Sequence, residues 1–143
     1  MFYHFKVHKE KNGFWAECVE LEGCNAQGDS REELSVNMEE SLNLYLSEPE
    51  SSKYLFSMPS KTQKGMKNVE KVKVDTSVAF AMLIRQTRVK HHYTLKRMAG
   101  ILEYKNLNSY VKLERPKTSN PELRTIANIT KHFADFPVAL IFE

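Results

Sequence analysis

An α+β chain is what this sequence predicts, with strands and one long helix in its first half and short helices in its second. Three observations carry that prediction. Apolar and polar residues alternate on either side of Asn12-Gly13; a capped amphipathic helix follows from Ser30; and the charge balance changes sign near residue 68, just before a series of short capped helices begins.

Tyr3, Phe5 and Val7 alternate with His4, Lys6 and His8, the period of two of a half-buried strand. Asn12-Gly13 predicts a tight hairpin turn, since both residues tolerate positive φ. The partner strand runs Phe14 to Val19, with Phe14, Ala16 and Cys18 on one face and Trp15, Glu17 and Val19 on the other. After the Gly23 turn, Cys24, Ala26 and Gly28 alternate with Asn25, Gln27 and Asp29 as a short third strand.

Leu34, Met38, Leu42, Tyr45 and Leu46 form one stripe at the 3.6-residue period. Ser30 and Glu33 make a capping box, Asp29 adds charge at the positive end of the helix dipole, and Pro49 stops the helix near Ser47 by disfavouring helical geometry at Glu48. A long connection, 47–68, carries Pro49, Pro59 and Gly65 around an apolar island of Tyr54, Leu55, Phe56 and Met58. Val69, Lys71 and Lys73 then alternate with Glu70, Val72 and Val74, a strand returning beside the earlier three. Residues 1–74 therefore read β-β-β-α-β, with the strand order left open.

Residues 75–143 read as an all-α domain. Asp75-Thr76-Ser77 starts a helix that runs to about Lys90; Thr94 caps Leu95 to Leu102; Asn106 caps a helix through about Arg115, stopped by Pro116; and Pro121 takes the first helical position of Glu122 to Phe133. The last segment, Phe136 to Phe142, is read as a short C-terminal strand, packing on its own domain or pairing with the same segment of a second chain.

No run of about 18 apolar residues exists, so no membrane span is expected, and charges interrupt the N-terminus too often for a signal peptide. A cytoplasmic location is the expectation. Cys18 and Cys24 suit neither a disulfide framework nor a zinc pattern and read as two small buried thiols. His4 and His8 share a strand face without a third ligand and read as surface residues. No catalytic, phosphate-loop or metal constellation appears at usable spacing, so no enzyme activity, cofactor or metal is expected. Residues 1–68 hold 8 Lys and Arg against 11 Asp and Glu, while residues 69–143 hold 13 against 7. The front half suits a basic protein partner; the back half has the sign that phosphate contacts require.

Leu21, Gly23, Cys24, Gln27, Gly28, Asp29 and Ser30, placed between two strands and a capped amphipathic helix ending in Leu44-Tyr45-Leu46, resemble the HicB antitoxin domain, with Glu22 where that family usually has proline. The resemblance implies a partial RNase H-like fold in residues 1–74. Nucleases of that fold need a cluster of metal-binding carboxylates, and the first three strands offer only Glu17, with Asp29 at the edge. It also implies a partner, the small basic HicA toxin, an mRNA-cleaving ribonuclease whose active histidine the N-terminal domain covers. Candidates for that contact are Trp15, Glu17, Glu20, Glu22 and Asp29, with a rim-packing role the competing reading for Trp15.

Leu95 to Leu102, a turn, and Leu107 to Arg115 resemble the helix-turn-helix of the Xre and Cro repressors, with Ala99 where the two helices approach and Tyr110 and Leu113 on the core side. The turn Glu103 to Lys105 lacks that family's glycine and is about one residue longer, which leaves the register of base-reading residues open by about one position. Candidate DNA contacts are Thr94, Lys96, Arg97, Lys105, Asn106, Asn108, Ser109, Lys112 and Arg115. Between Arg85 and Lys117 stand 9 Lys and Arg against 2 acids, a run that alone is often a solvated face and gains meaning from the helix pattern beneath it. A homodimer through the C-terminal tail, or a higher oligomer, would set two reading helices on a palindromic operator. The expected function is an antitoxin that occludes its toxin and represses its own operon. The alternative is a ligand-sensing helix-turn-helix regulator without a toxin partner.

Overall fold

The computed structural model describes residues 1–47, 52–61 and 65–143; Glu48 and Pro49, on which the stop of the long helix was argued, lie outside them. The fold is mixed α+β, with one four-stranded antiparallel sheet and six α-helices among the described residues. It divides into two compact units, Met1–Leu46 with Phe56–Asp75, and Ser47–Leu55 with Thr76–Glu143. Among the described residues no helix is long and apolar enough to cross a membrane.

In the first unit β1 (Phe2–Glu10), β2 (Gly13–Cys18), β3 (Asn25–Gly28) and β4 (Val69–Lys73) lie in the order β3-β2-β1-β4. The late strand β4 pairs with β1, Phe2 facing Lys73 and Lys6 facing Val69. The hairpin tip differs from the expectation by one residue: Glu10 faces Gly13, so Lys11 and Asn12 make the turn and Gly13 opens β2. Gly13 has φ +151°, and a Cβ there would stand 2.7 Å from the carbonyl oxygen of Gly28, so glycine serves the approach of β2 to the end of β3.

Helix α1 (Arg31–Leu46) packs on this sheet with Leu34, Met38, Leu42 and Leu46 buried, above Tyr3, Phe5, Ala16 and Val72. Burying each of those helix side chains contributes about 1.5–3 kcal/mol. Ser30 Oγ accepts the Glu33 N–H at 3.1 Å, whereas the Glu33 carboxylate takes the Asp29 N–H at 2.8 Å, one residue before the cap. A Cβ on Gly28 would lie 2.6 Å from Leu34 N, so β3 and the first turn of α1 meet at a distance that only glycine permits. His4 departs from its sequence reading. It is buried, because Glu20 and Ser60 close over it.

The second unit holds α2 (Thr76–Lys90), α3 (Leu95–Ile101), α4 (Leu107–Val111), α5 (Leu123–His132) and α6 (Val138–Ile141). Helix α4 is shorter than its sequence suggested, since the chain tightens into a 3₁₀ turn at Lys112–Glu114. Glu122 is the N-cap of α5, so Pro121 precedes the helix rather than opening it.

The expected C-terminal strand is instead the short helix α6. An apolar run as short as Phe136 to Phe142 has no period that separates strand from helix. Burial decides here: Phe136 and Ile141 turn inward, the Phe136 ring meets Phe80 edge-on at 6.0 Å, and α6 packs on α2.

Candidate functional site

The segment 94–115 alternates between buried and exposed residues in a way that builds an outward arc of polar and cationic side chains. Thr94 caps α3 by accepting the Arg97 N–H at 3.0 Å, and Asn106 caps α4 by accepting the Asn108 N–H at 2.8 Å. Met98 and Ala99 of α3, and Tyr110, Val111, Leu113 and Glu114 at and after α4, point inward. All nine residues anticipated as DNA contacts are exposed: Thr94, Lys96, Arg97, Lys105, Asn106, Asn108, Ser109, Lys112 and Arg115. Two of them, Thr94 and Asn106, already spend an oxygen on capping. Arg97 lies over the Tyr93 ring at 5.4 Å.

In the turn between α3 and α4, Glu103 takes φ +62° where the resembled pattern has glycine. Tyr104 N–H closes the turn on the Ala99 carbonyl at 2.8 Å.

Beneath the arc lies a buried charge cluster whose Arg88 and Glu114 the sequence offered only as members of the basic run. Arg88 is buried and donates to both Glu114 oxygens, from Nε at 2.7 Å and from Nη2 at 2.9 Å; its Nη1 donates to the Tyr93 carbonyl at 3.1 Å. Tyr110 donates its hydroxyl to the same Glu114 carboxylate. Burial opposes the Arg88 charge, but the hydrogen bond and charge of Glu114 outweigh it and hold the guanidinium above its ordinary pKa. Burial, reinforced by the Glu114 charge, pushes the Tyr110 phenol well up.

Arg85 is buried too, so of the nine cations between Arg85 and Lys117 seven are exposed, and of the two acids only Glu103 is. The outward balance is therefore seven against one, and every one of those seven follows α2 or sits at its last residue.

The five side chains anticipated for a protein partner do not form one patch. Trp15 and Glu17 are neighbours on β2 around His8, whose ring stacks on Trp15 at 4.1 Å and whose Nε2 lies 3.1 Å from Glu17. Glu22 and Asp29 are exposed in separate loops. Glu20 faces inward: its carboxylate accepts the His4 and Ser60 N–H groups, both at 3.0 Å, and lies 2.8 Å from His4 Nδ1. With its oxygens so occupied it braces the 57–61 segment on β1. Cys18 and Cys24 are buried free thiols; the hydrogen bond between them lowers the pKa of Cys18 and raises that of Cys24. Among the described residues no three His, Cys, Asp or Glu gather as a metal site.

No family model matches the chain. It is similar to a UPF0150 protein of Helicobacter pylori (strain J99), 38% identical over 50 residues that make up 35% of this chain and 69% of that relative.

Proposed function

The chain belongs to the UPF0150 family, which includes HicB-like antitoxins, and on that premise we propose that it is an antitoxin with two separate tasks. Its first unit, read as part of an RNase H-like fold, binds a HicA-like mRNA-cleaving toxin and covers the toxin's active site. Its second unit, read as a helix-turn-helix with α4 as the reading helix, represses the operon that encodes both proteins. The chain performs no chemistry itself; it works in the cytoplasm by occlusion and by binding a palindromic operator as a homodimer.

The observation that carries the reading is the arc over 94–115, in which nine polar or cationic residues face outward while Glu114 is turned inward and neutralised by Arg88. An acid at that position left on the surface would repel phosphate. For the first unit the support is the family relationship together with the acidic exposed side of α1, where Glu32, Glu33, Glu39 and Glu40 meet solvent.

The test is co-expression of the tagged chain with the short open reading frame beside its gene, scoring growth and co-purification. Rescue of growth together with a stable complex is the expected result. A harmless neighbour that does not co-purify would overturn the antitoxin reading and favour a ligand-sensing regulator.

A further inference from the structure

Between the turn after α3, the outer side of α4 and one face of α5 runs a groove of about 720 Å³. Lys112 enters it from the α4 side, and Arg124 and Lys131 enter it from α5, where they stand seven residues apart, two helical turns, with Asn128 between them. Arg124 and Lys131 are exposed, and Glu103 and Glu122 also line the groove, leaving the three cations in excess. Its walls are held in place. Asn128 Nδ2 donates to the Leu102 carbonyl at 3.3 Å, and Thr118 Oγ1 donates to the Lys112 carbonyl at 2.8 Å.

The groove is lined by the exposed Ser109 of α4 and by the exposed Lys112 just after it, so it adjoins the outer side of α4. We propose that this groove takes the sugar–phosphate backbone of the DNA strand next to the bases that α4 reads, with Arg124 and Lys131 as phosphate contacts. The inference rests on the DNA-binding reading above. A backbone contact of this kind sets register and affinity and carries no sequence information. Each cation that neutralises a phosphate releases counterion, which makes its presence legible in the salt dependence of binding.

The experiment is fluorescence anisotropy of the full chain with two labelled duplexes, one from upstream of its own gene and one of mixed sequence, across a salt series. Arg124→Ala combined with Lys131→Ala is expected to weaken both duplexes by the same factor, on the order of tenfold, and to flatten the slope of log affinity against log salt by about 2. Arg124→Lys combined with Lys131→Arg keeps the charges and is expected to keep the wild-type slope. Circular dichroism and thermal unfolding of both variants, whose substituted residues are exposed, confirm the fold. Wild-type binding with an unaltered slope in the alanine variant would overturn the groove assignment and leave the DNA-binding reading standing. A loss confined to the upstream duplex would also overturn it, since that is the signature of base reading. Failure of the wild-type chain to bind either duplex at low salt would overturn both.

Discussion

Arg88 of α2 grips Glu114 through two parallel hydrogen bonds although 26 residues separate them, and the pair is buried beneath the surface that α3 and α4 present. Removing one partner leaves the other charged and desolvated. Arg88→Met or Glu114→Gln is expected to destabilise the second unit by about 3–5 kcal/mol in denaturant unfolding. Arg88→Met with Glu114→Leu is expected to recover much of that, because no orphan charge remains. A single substitution that costs under about 1 kcal/mol would show that the pair contributes little beyond its packing.

Asn108 of α4 and Lys112, which opens the 3₁₀ turn after it, stand four residues apart and are both exposed. Their double alanine variant is expected to lose its preference for the DNA upstream of its own gene while keeping low-salt binding to mixed-sequence DNA. Competition binding with the two duplexes measures this, and an unchanged preference would move the reading residues elsewhere on the arc.

The chain carries its own control for glycine substitution. At Gly28 a Cβ would stand 2.6 Å from Leu34 N, so Gly28→Ala is expected to cost the first unit about 1–3 kcal/mol. At Gly100, within α3, nothing lies within 4 Å, and Gly100→Ala is expected to stabilise by about 0.5–1 kcal/mol. Equal effects at the two sites in thermal unfolding would refute the packing argument.

Tyr3 and Tyr110 both have phenols pushed upward chiefly by burial, Tyr3 in the first unit while donating to the Ser57 carbonyl at 2.8 Å and Tyr110 in the second. A folded pKa above the unfolded value of 10.0 means that the stabilisation is fully present below that pH and is lost as pH rises towards the folded value. Stability is therefore expected to fall above about pH 10, and Tyr3→Phe with Tyr110→Phe is expected to flatten that fall. A decline of equal steepness in the double variant would assign it to other groups.

The elements with a clean period were legible from the residues alone. Leu34, Met38, Leu42 and Leu46 announced α1, and the caps at Thr94 and Asn106 placed the starts of α3 and α4. What stayed hidden depends on pairing across distance. Nothing local separates the buried Arg88 from the exposed Arg97, because burial of Arg88 rests on Glu114 and Tyr110, each on a later element. His4 alternates like a surface residue and is covered only because Glu20 and Ser60 come to it from elsewhere in the chain. The α5 side of the groove escaped for a related reason. Arg124 and Lys131 lie outside the basic run, and their i, i+7 spacing with Asn128 between was the signal available.

The sheet order β3-β2-β1-β4 also sets a timetable for synthesis. Strand β1 leaves the ribosome well before β4, yet one edge of it waits for that strand, with Phe2 paired to Lys73 some seventy residues later. At roughly 5–20 residues per second, several seconds pass in which the nascent chain displays an apolar strand with an unmet ladder. A message cut within that interval would yield a fragment that cannot close its sheet. The surface of the first unit is finished only after translation has passed Lys73.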